Sequence, residues 1–255
     1  ERLVACDTQN PPRAIDGDAA IFRYCSEVVG SDFRVELHDH GDGHVSWSAV
    51  RGKPSVLFNV HLDTVPNGEG WSSDPLQLRV ADGRAYGRGT CDIKGAAAAL
   101  LAIAEQLPDH MALLFTSDEE GAGGCCVQNF LDTGGAKPYG QVVVAEPTGC
   151  RAVLGHRGFL SVKTWFEGEP GHSSEARALE DNALHQAARW AAAALDVAAS
   201  RKRSAEDPGS CLNLGILQGG SKSNVIAGDA FMHWSARLRP GESNDAFLDE
   251  IRGCV

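Results

Sequence analysis

An α/β fold with a mostly parallel sheet, followed by a smaller ferredoxin-like α+β unit, is the architecture that this sequence predicts. Three observations predict it. Short apolar runs, SVLFNV (55–60), MALLFTS (111–117) and QVVVAE (141–146), have the texture of strands buried on both faces. Helix-like segments, KGAAAALLAIAEQL (94–107) and VQNFLDTGG (127–135), separate them. From about residue 153 the texture changes to the alternation of half-exposed strands.

Each element follows in order. The chain opens ERLVACDTQNPPR, acidic and amphipathic, without the basic start and apolar core of a signal peptide. It lacks an initiator Met and is expected to begin partway through a helix. VEL (35–37) and VSW (45–47) flank HDHGDGH (38–44), which packs three His and two Asp into seven residues. A metal site is conceivable there, but the Asp-Gly pair predicts a plain strand–turn–strand connection. The Ala-rich helix stops near Pro108, and the helix after 127 stops at Gly. Strand, helix, strand, helix, strand predicts an α/β layer with a largely parallel sheet, in which ligands gather at the carboxyl ends of strands.

LSVKTWFEG (160–168) alternates as a strand, and DNALHQAARWAAAALDVAA (181–199) has long helical character. SRKRSAEDPGS (200–210) reads as a solvated loop. LNLGILQGG (212–220) and AFMHWSARLRP (230–240) read as two more strands, and NDAFLDEIRGCV (244–255) starts a helix behind an Asn or Ser cap. The order β-α-β-β-α predicts the ferredoxin-like unit. The sequence stops inside its last helix, so that unit is expected to lack a closing strand.

The 255 residues suffice for one large or two moderate domains. The formal net charge of −11 argues against nucleic acid or an anionic membrane as the main partner, since both need basic patches. No apolar run reaches the ~18 residues of a membrane span. Eight Cys are scattered without a CxxC pair, which points to thiols in a reducing cytoplasm rather than a zinc ribbon or a disulfide scaffold.

One kind of place collects the chemistry. His61 and Asp63 follow the strand SVLFNV, Asp92 precedes the Ala-rich helix, Glu119 and Glu120 follow the next strand, and Glu146 follows the third. In an open α/β sheet those positions converge on one edge, and one His with several carboxylates makes a natural divalent-metal site. Alone, each has a plainer reading: a structural His, an N-cap Asp, a Glu-Pro turn. TSDEEG (116–121) on its own could be a solvated turn, a metal site, or a catalytic base beside a metal ligand.

NVHLDTVP (59–66), GRGTCDIKG (87–95), TSDEEG and VVVAEPTG (142–149) resemble the four metal-site motifs of the acetylornithine deacetylase / succinyl-diaminopimelate desuccinylase family, cytosolic co-catalytic zinc deacylases and peptidases. GHRGFLSV (155–162), PGHSSE (170–175) and GGSKSNVIAG (219–228) extend the resemblance over nearly the whole chain, nearest the acetylornithine and acetylcitrulline branch. The resemblance implies a catalytic metal-binding domain over 1–152 and a lid, or dimerisation, domain over 153–255. It implies one or two Zn²⁺, with Co²⁺ as an alternative. His61 and Glu146 would hold one ion and Glu120 the other, with Asp92 between them. Asp63 would orient His61, and Glu119 would be the general base, leaving Asp118 to shape the turn. His172 would reach the active site of the partner subunit in a homodimer. Asn224 and Arg237 would contact the substrate, with Arg239 a rival and Lys222 less well supported.

The implied reaction is hydrolysis of an N2-acetyl-L-amino acid, acetylornithine or acetylcitrulline, in cytoplasmic arginine synthesis. Desuccinylation, aminoacylase and dipeptidase activity stay open within the family. The family completes its second metal site with a His near the end of a longer chain, and the last His here is His233. The chain is therefore expected to be truncated, and a non-catalytic metal-binding or dimerisation module is the competing reading.

Overall fold

The computed structural model describes residues 1–121, 123–201 and 209–254. The chain divides into two compact units, Glu1–Arg151 and Ala152–Val255. The first opens with helices α1 (Arg2–Ala5) and α2 (Ala20–Val29), then a hairpin of β1 (Arg34–Asp39) and β2 (Val45–Arg51), then β3 (Val56–His61). A short ribbon of β4 (Arg79–Ala81) and β5 (Arg84–Tyr86) leads to α3 (Lys94–Ala104), β6 (Met111–Thr116), α4 (Cys126–Asp132) and β7 (Gln141–Val144).

The main sheet has the order β1-β2-β6-β3-β7. The three apolar runs pair in parallel, β6 with β3 and β3 with β7. The hairpin adds two antiparallel strands at the β6 side. Strand periodicity then sorts the side chains of β6 onto two faces. Met111, Leu113 and Phe115 join Phe22, Trp47 and Leu101 in one core, under the first three helices. Ala112 and Leu114 join Leu57 and Phe130 in a second, under α4. The sheet is thus covered on both faces, as an α/β layer requires.

QVVVAE departs from the expectation of a strand buried on both faces. Val142, Val143 and Val144 are all exposed, because β7 is the outermost strand and pairs only with β3 among the described residues. An apolar run reports strand propensity; its burial depends on which neighbours the sheet supplies.

The second unit consists of β8 (Gly158–Glu167), α5 (Ala183–Ser200), β9 (Cys211–Gly219), β10 (Asp229–Leu238) and α6 (Asn244–Arg252). Its sheet order is β8-β10-β9, with both pairings antiparallel. β8 and β9 therefore run parallel with β10 between them, a split βαβ arrangement. The Ala183–Ala187–Ala194 stripe of α5 and Phe247 and Ile251 of α6 pack with Trp234 and Leu238 of β10. Asn182 caps α5 by accepting from the Leu184 and His185 amides, and Ser243 caps α6 through Ala246. Of the polar stretch read as a solvated loop, residues 202–208 lie outside the described residues.

Trp47 is fully buried, stacks on Phe115 with ring centroids 5.1 Å apart, and donates its indole N–H to Ser26 Oγ at 2.9 Å. Trp47→Ala should destabilise the first unit by about 3–5 kcal/mol, read as a lower urea midpoint at unchanged slope.

Candidate metal and catalytic site

Parallel pairing puts strand ends side by side. His61 at the end of β3 is in register with Thr116 at the end of β6, and Asn59 with Val144 of β7. The residues just beyond, Glu119, Glu120 and Glu146, therefore emerge along the same edge. Asp92 joins them from the turn before α3. It is no N-cap: Ile93 holds the cap position, and no side chain caps that helix.

His61 is the hub, 4% exposed. Its Nδ1–H donates to the Asp63 carbonyl at 3.0 Å, with Asp63 Oδ1 at 3.5 Å. That leaves Nε2 toward Asp92 Oδ1 at 3.3 Å and Glu146 Oε1 at 3.9 Å. Around His61, among the described residues, two sets of donor atoms lie within 4.8 Å of one another: His61, Asp92 and Glu146, and His61, Glu119 and Glu120. An open cavity of about 260 Å³ lies against His61, Glu119 and Glu146, with Val127, Gln128 and Val144 on its walls.

Asp63 is fully buried and is no plain turn residue. Its carboxylate accepts from Asn10 Nδ2 at 2.8 Å, the Glu119 amide at 3.2 Å and the Glu120 amide at 2.9 Å. One carboxylate thus ties the imidazole to the turn that carries both glutamates. The final Gly of TSDEEG belongs to the same packing, since a Cβ on Gly121 would collide with the Asn10 side chain.

The electrostatics follow from this crowding. Burial opposes a charge on His61, but the Asp63 carboxylate, aided by Glu119, outweighs it and raises the imidazole to about 9. Burial would also raise Asp63, yet His61, Asn10 and the Glu120 amide hold it below the usual carboxylate range. Glu120 and Glu146 are pushed up by burial and by the neighbouring acids, with His61 working against the shift. A cluster of one imidazole and several mutually repelling carboxylates, two of them held partly against ionisation, fits a divalent cation in chemistry as well as in spacing.

The second unit brings only part of its expected set together. His172 bridges to Val225, and the Ser173 amide donates to the Asn224 carbonyl at 3.1 Å. His172 and Asn224 are therefore neighbours, both exposed, on the segments beyond Glu167 of β8 and before Asp229 of β10. His172 plays no part in capping α5. Arg237 stands near the other end of β10, opposite Phe159, with its guanidinium 4.3 Å from that ring centroid. It stands eight positions along the strand from Asp229, about 26 Å at ~3.3 Å per residue. The Lys222 carbonyl accepts from the Val225 amide at 3.2 Å, and the Arg239 amide donates to Glu242 at 3.2 Å.

Asn10 belongs to no motif in the sequence, and the strand–turn–strand reading of HDHGDGH gives His44 no role. That stretch is the β1–β2 connection, as expected. His44 nonetheless leaves the turn and donates Nδ1–H to Asp118 Oδ2 at 2.7 Å. No local signal could have found either contact, since the partners lie 53 and 74 residues away.

Residues 57–216 match the family model described as Peptidase family M20/M25/M40. The chain is 46% identical, over 99% of its length and 69% of the relative's, to N-acetyl-L-citrulline deacetylase of Xanthomonas campestris pv. campestris. It is 32% identical to acetylornithine deacetylase of Vibrio campbellii, over 80% of the chain and 56% of that protein. In fold it is similar to an M20 family metallo-carboxypeptidase, Sso-CP2, of Sulfolobus solfataricus, with a TM-score of 0.71 at 18% identity over 99% of this chain and 73% of that one.

His61 carries a pH dependence whose sign can be worked out. Its folded value lies above the ordinary 6.5, so in the metal-free protein the protonated ring stabilises the fold below that pH, and this is lost as pH rises through about 9. NMR titration of the imidazole should give a midpoint near 9, which Asp63→Asn lowers. Divalent-cation affinity should rise about tenfold per pH unit up to that midpoint, because the ion displaces the proton.

Proposed function

The chain belongs to peptidase family M20/M25/M40, and from that premise we propose that it hydrolyses the amide of an N2-acetyl-L-amino acid to acetate and the free amino acid. N-acetyl-L-citrulline is the first-ranked substrate and N-acetyl-L-ornithine the second, in the order of identity to the two named relatives, 46% and 32%. The observation that carries the reading is the approach of both Glu119 and Glu120 to His61, with both amides anchored on Asp63.

His61 and Glu146 would hold one Zn²⁺ and Glu120 a second, with Asp92 facing both; Co²⁺ suits the same donors. The bound metal would polarise the scissile carbonyl and acidify the attacking water. Asp63 keeps a proton on His61 Nδ1 and so presents Nε2 as the donor atom. Glu119, exposed beside the cavity, takes a proton from the attacking water and delivers it to the leaving amine. Neighbouring side chains in extended backbone diverge, so adjacent glutamates can serve as proton carrier and ligand.

Within one unit His172 and Asn224 stand on segments beyond one end of the β8–β10 pair, and Arg237 stands near the other end of β10. That placement at opposite ends supports a homodimer in which His172 of the partner subunit completes an oxyanion site and Arg237 clamps the substrate carboxylate. The eight free thiols suit a reducing cytoplasm.

With Zn²⁺ or Co²⁺ added, the protein should release acetate from N-acetyl-L-citrulline faster than from N-acetyl-L-ornithine, and faster than it releases succinate from succinyl-diaminopimelate. Glu119→Gln should lower kcat by about 10²–10⁴-fold while bound metal, measured by elemental analysis, is retained. Unchanged turnover in that variant would sink the assignment of Glu119, and absence of hydrolysis across the panel would favour a non-catalytic module.

A further inference from the structure

Asp63 grips the turn that carries the two glutamates from one side, and a second set of contacts grips it from the other. Asp118, 5% exposed, directly precedes Glu119. Its Oδ2 accepts from His44 Nδ1 at 2.7 Å, from the Cys125 amide at 2.6 Å and from the Cys126 amide at 2.9 Å. The residue before it is stitched to the same hairpin turn. Ser117 Oγ donates to the Gly43 carbonyl at 2.7 Å and accepts from the Val45 amide at 2.8 Å.

The two grips are joined. The Arg13 guanidinium contacts His44 Nε2 and donates through Nε to Asn10 Oδ1 at 3.3 Å. Asn10 donates in turn to Asp63. Asp63, Asn10, Arg13, His44 and Asp118 form one polar chain whose two carboxylates hold the backbone on either side of Glu119. One tautomer of His44 suits Asp118 and Arg13 together, with the proton on Nδ1 toward Asp118 and Nε2 accepting from Arg13.

We propose that His44 is a positioning residue for Glu119: through Asp118 it fixes where the glutamate leaves the sheet edge and where α4, which lines the cavity, begins. His44, Asp118 and Cys125 also lie within 4.8 Å of one another, the spacing of a metal group. A cation site is the poorer reading of that cluster. Asp118 Oδ2 already faces three N–H donors, and the Arg13 cation stands at the imidazole's other nitrogen. The contact to Asp118 orders a turn, and it engages the same carboxylate oxygen that would face an ion between His44 and Cys125. The kinetic consequence rests on the deacylase reading of Glu119, whereas the structural one does not.

Two substitutions of like polarity separate the role from simple packing. The amide nitrogen of Asn falls where His carries Nδ1, and that of Gln falls where His carries Nε2. His44→Asn therefore keeps a donor for Asp118, and His44→Gln removes it. In the metal-loaded protein acting on N-acetyl-L-citrulline, His44→Gln should lower kcat by about 10–100-fold, since a base displaced by about 1 Å loses that much. KM and bound metal should stay within about twofold, and His44→Asn should recover kcat to within about threefold. Hydrogen exchange supplies the arm that needs no activity: the amides of Glu119, Cys125 and Cys126 should exchange faster in His44→Gln than in His44→Asn. Equal kcat in both variants, or loss of metal in step with kcat, would overturn the proposal. If the unsubstituted protein hydrolyses nothing in the panel, the deacylase reading fails, and the exchange comparison alone decides the positioning role of His44, equal rates rejecting it.

Discussion

The buried carboxylate of Asp63 is the constraint on which the rest of the site depends. A charge with no solvent contact is costly unless every lone pair is matched. Here the match comes from a protonated imidazole, a side-chain amide and two backbone amides, contributed by three separate stretches of chain. The carboxylate is stable only if β3, the segment around Asn10 and the turn after β6 are all in place. Conversely, those three are held to one geometry because the carboxylate demands it. Order at the site and order in the fold are one requirement.

The sheet makes that requirement attainable. Three parallel strands deliver their carboxyl ends to a common edge, and their register sets His61 beside Thr116. Side chains beyond those ends cannot avoid one another, and the result is a cluster of acids in which burial, reinforced by mutual repulsion, pushes Glu120 and Glu146 upward. Such repulsion is a poor way to stabilise a fold and a good way to attract a cation. The hairpin of β1 and β2 has a different task. It extends the sheet antiparallel and brings its turn back against Ser117 and Asp118. A connection that looks like a simple reversal thus buttresses the turn of the two glutamates.

The second unit follows separate logic. Its helices cover one face of a three-stranded sheet, and Phe159 and Trp165 stand exposed on the other. Its exposed polar residues divide between opposite ends of one strand pair.

The motif residues were legible because their chemistry is local. An apolar run that ends in His-x-Asp, or in Asp-Glu-Glu-Gly, announces both a strand and what the strand presents. Helix stops and caps were legible for the same reason: Asn182 and Ser243 act within three residues of themselves. The exposure of β7 was not, since three valines read alike whether a sheet continues past them or ends. Nor were the roles of Asn10 and His44, whose partners lie on distant elements. The sequence by itself determined which groups could bind metal and move protons, and that they stand at strand ends, because side-chain type and hydrophobic period are properties of short segments. Only the tertiary structure decided which strands are neighbours, which edge is bare, and which carboxylate holds the Glu119–Glu120 turn in place. Those are contacts across more than fifty residues of chain, and only the packed sheet brings them within hydrogen-bonding distance.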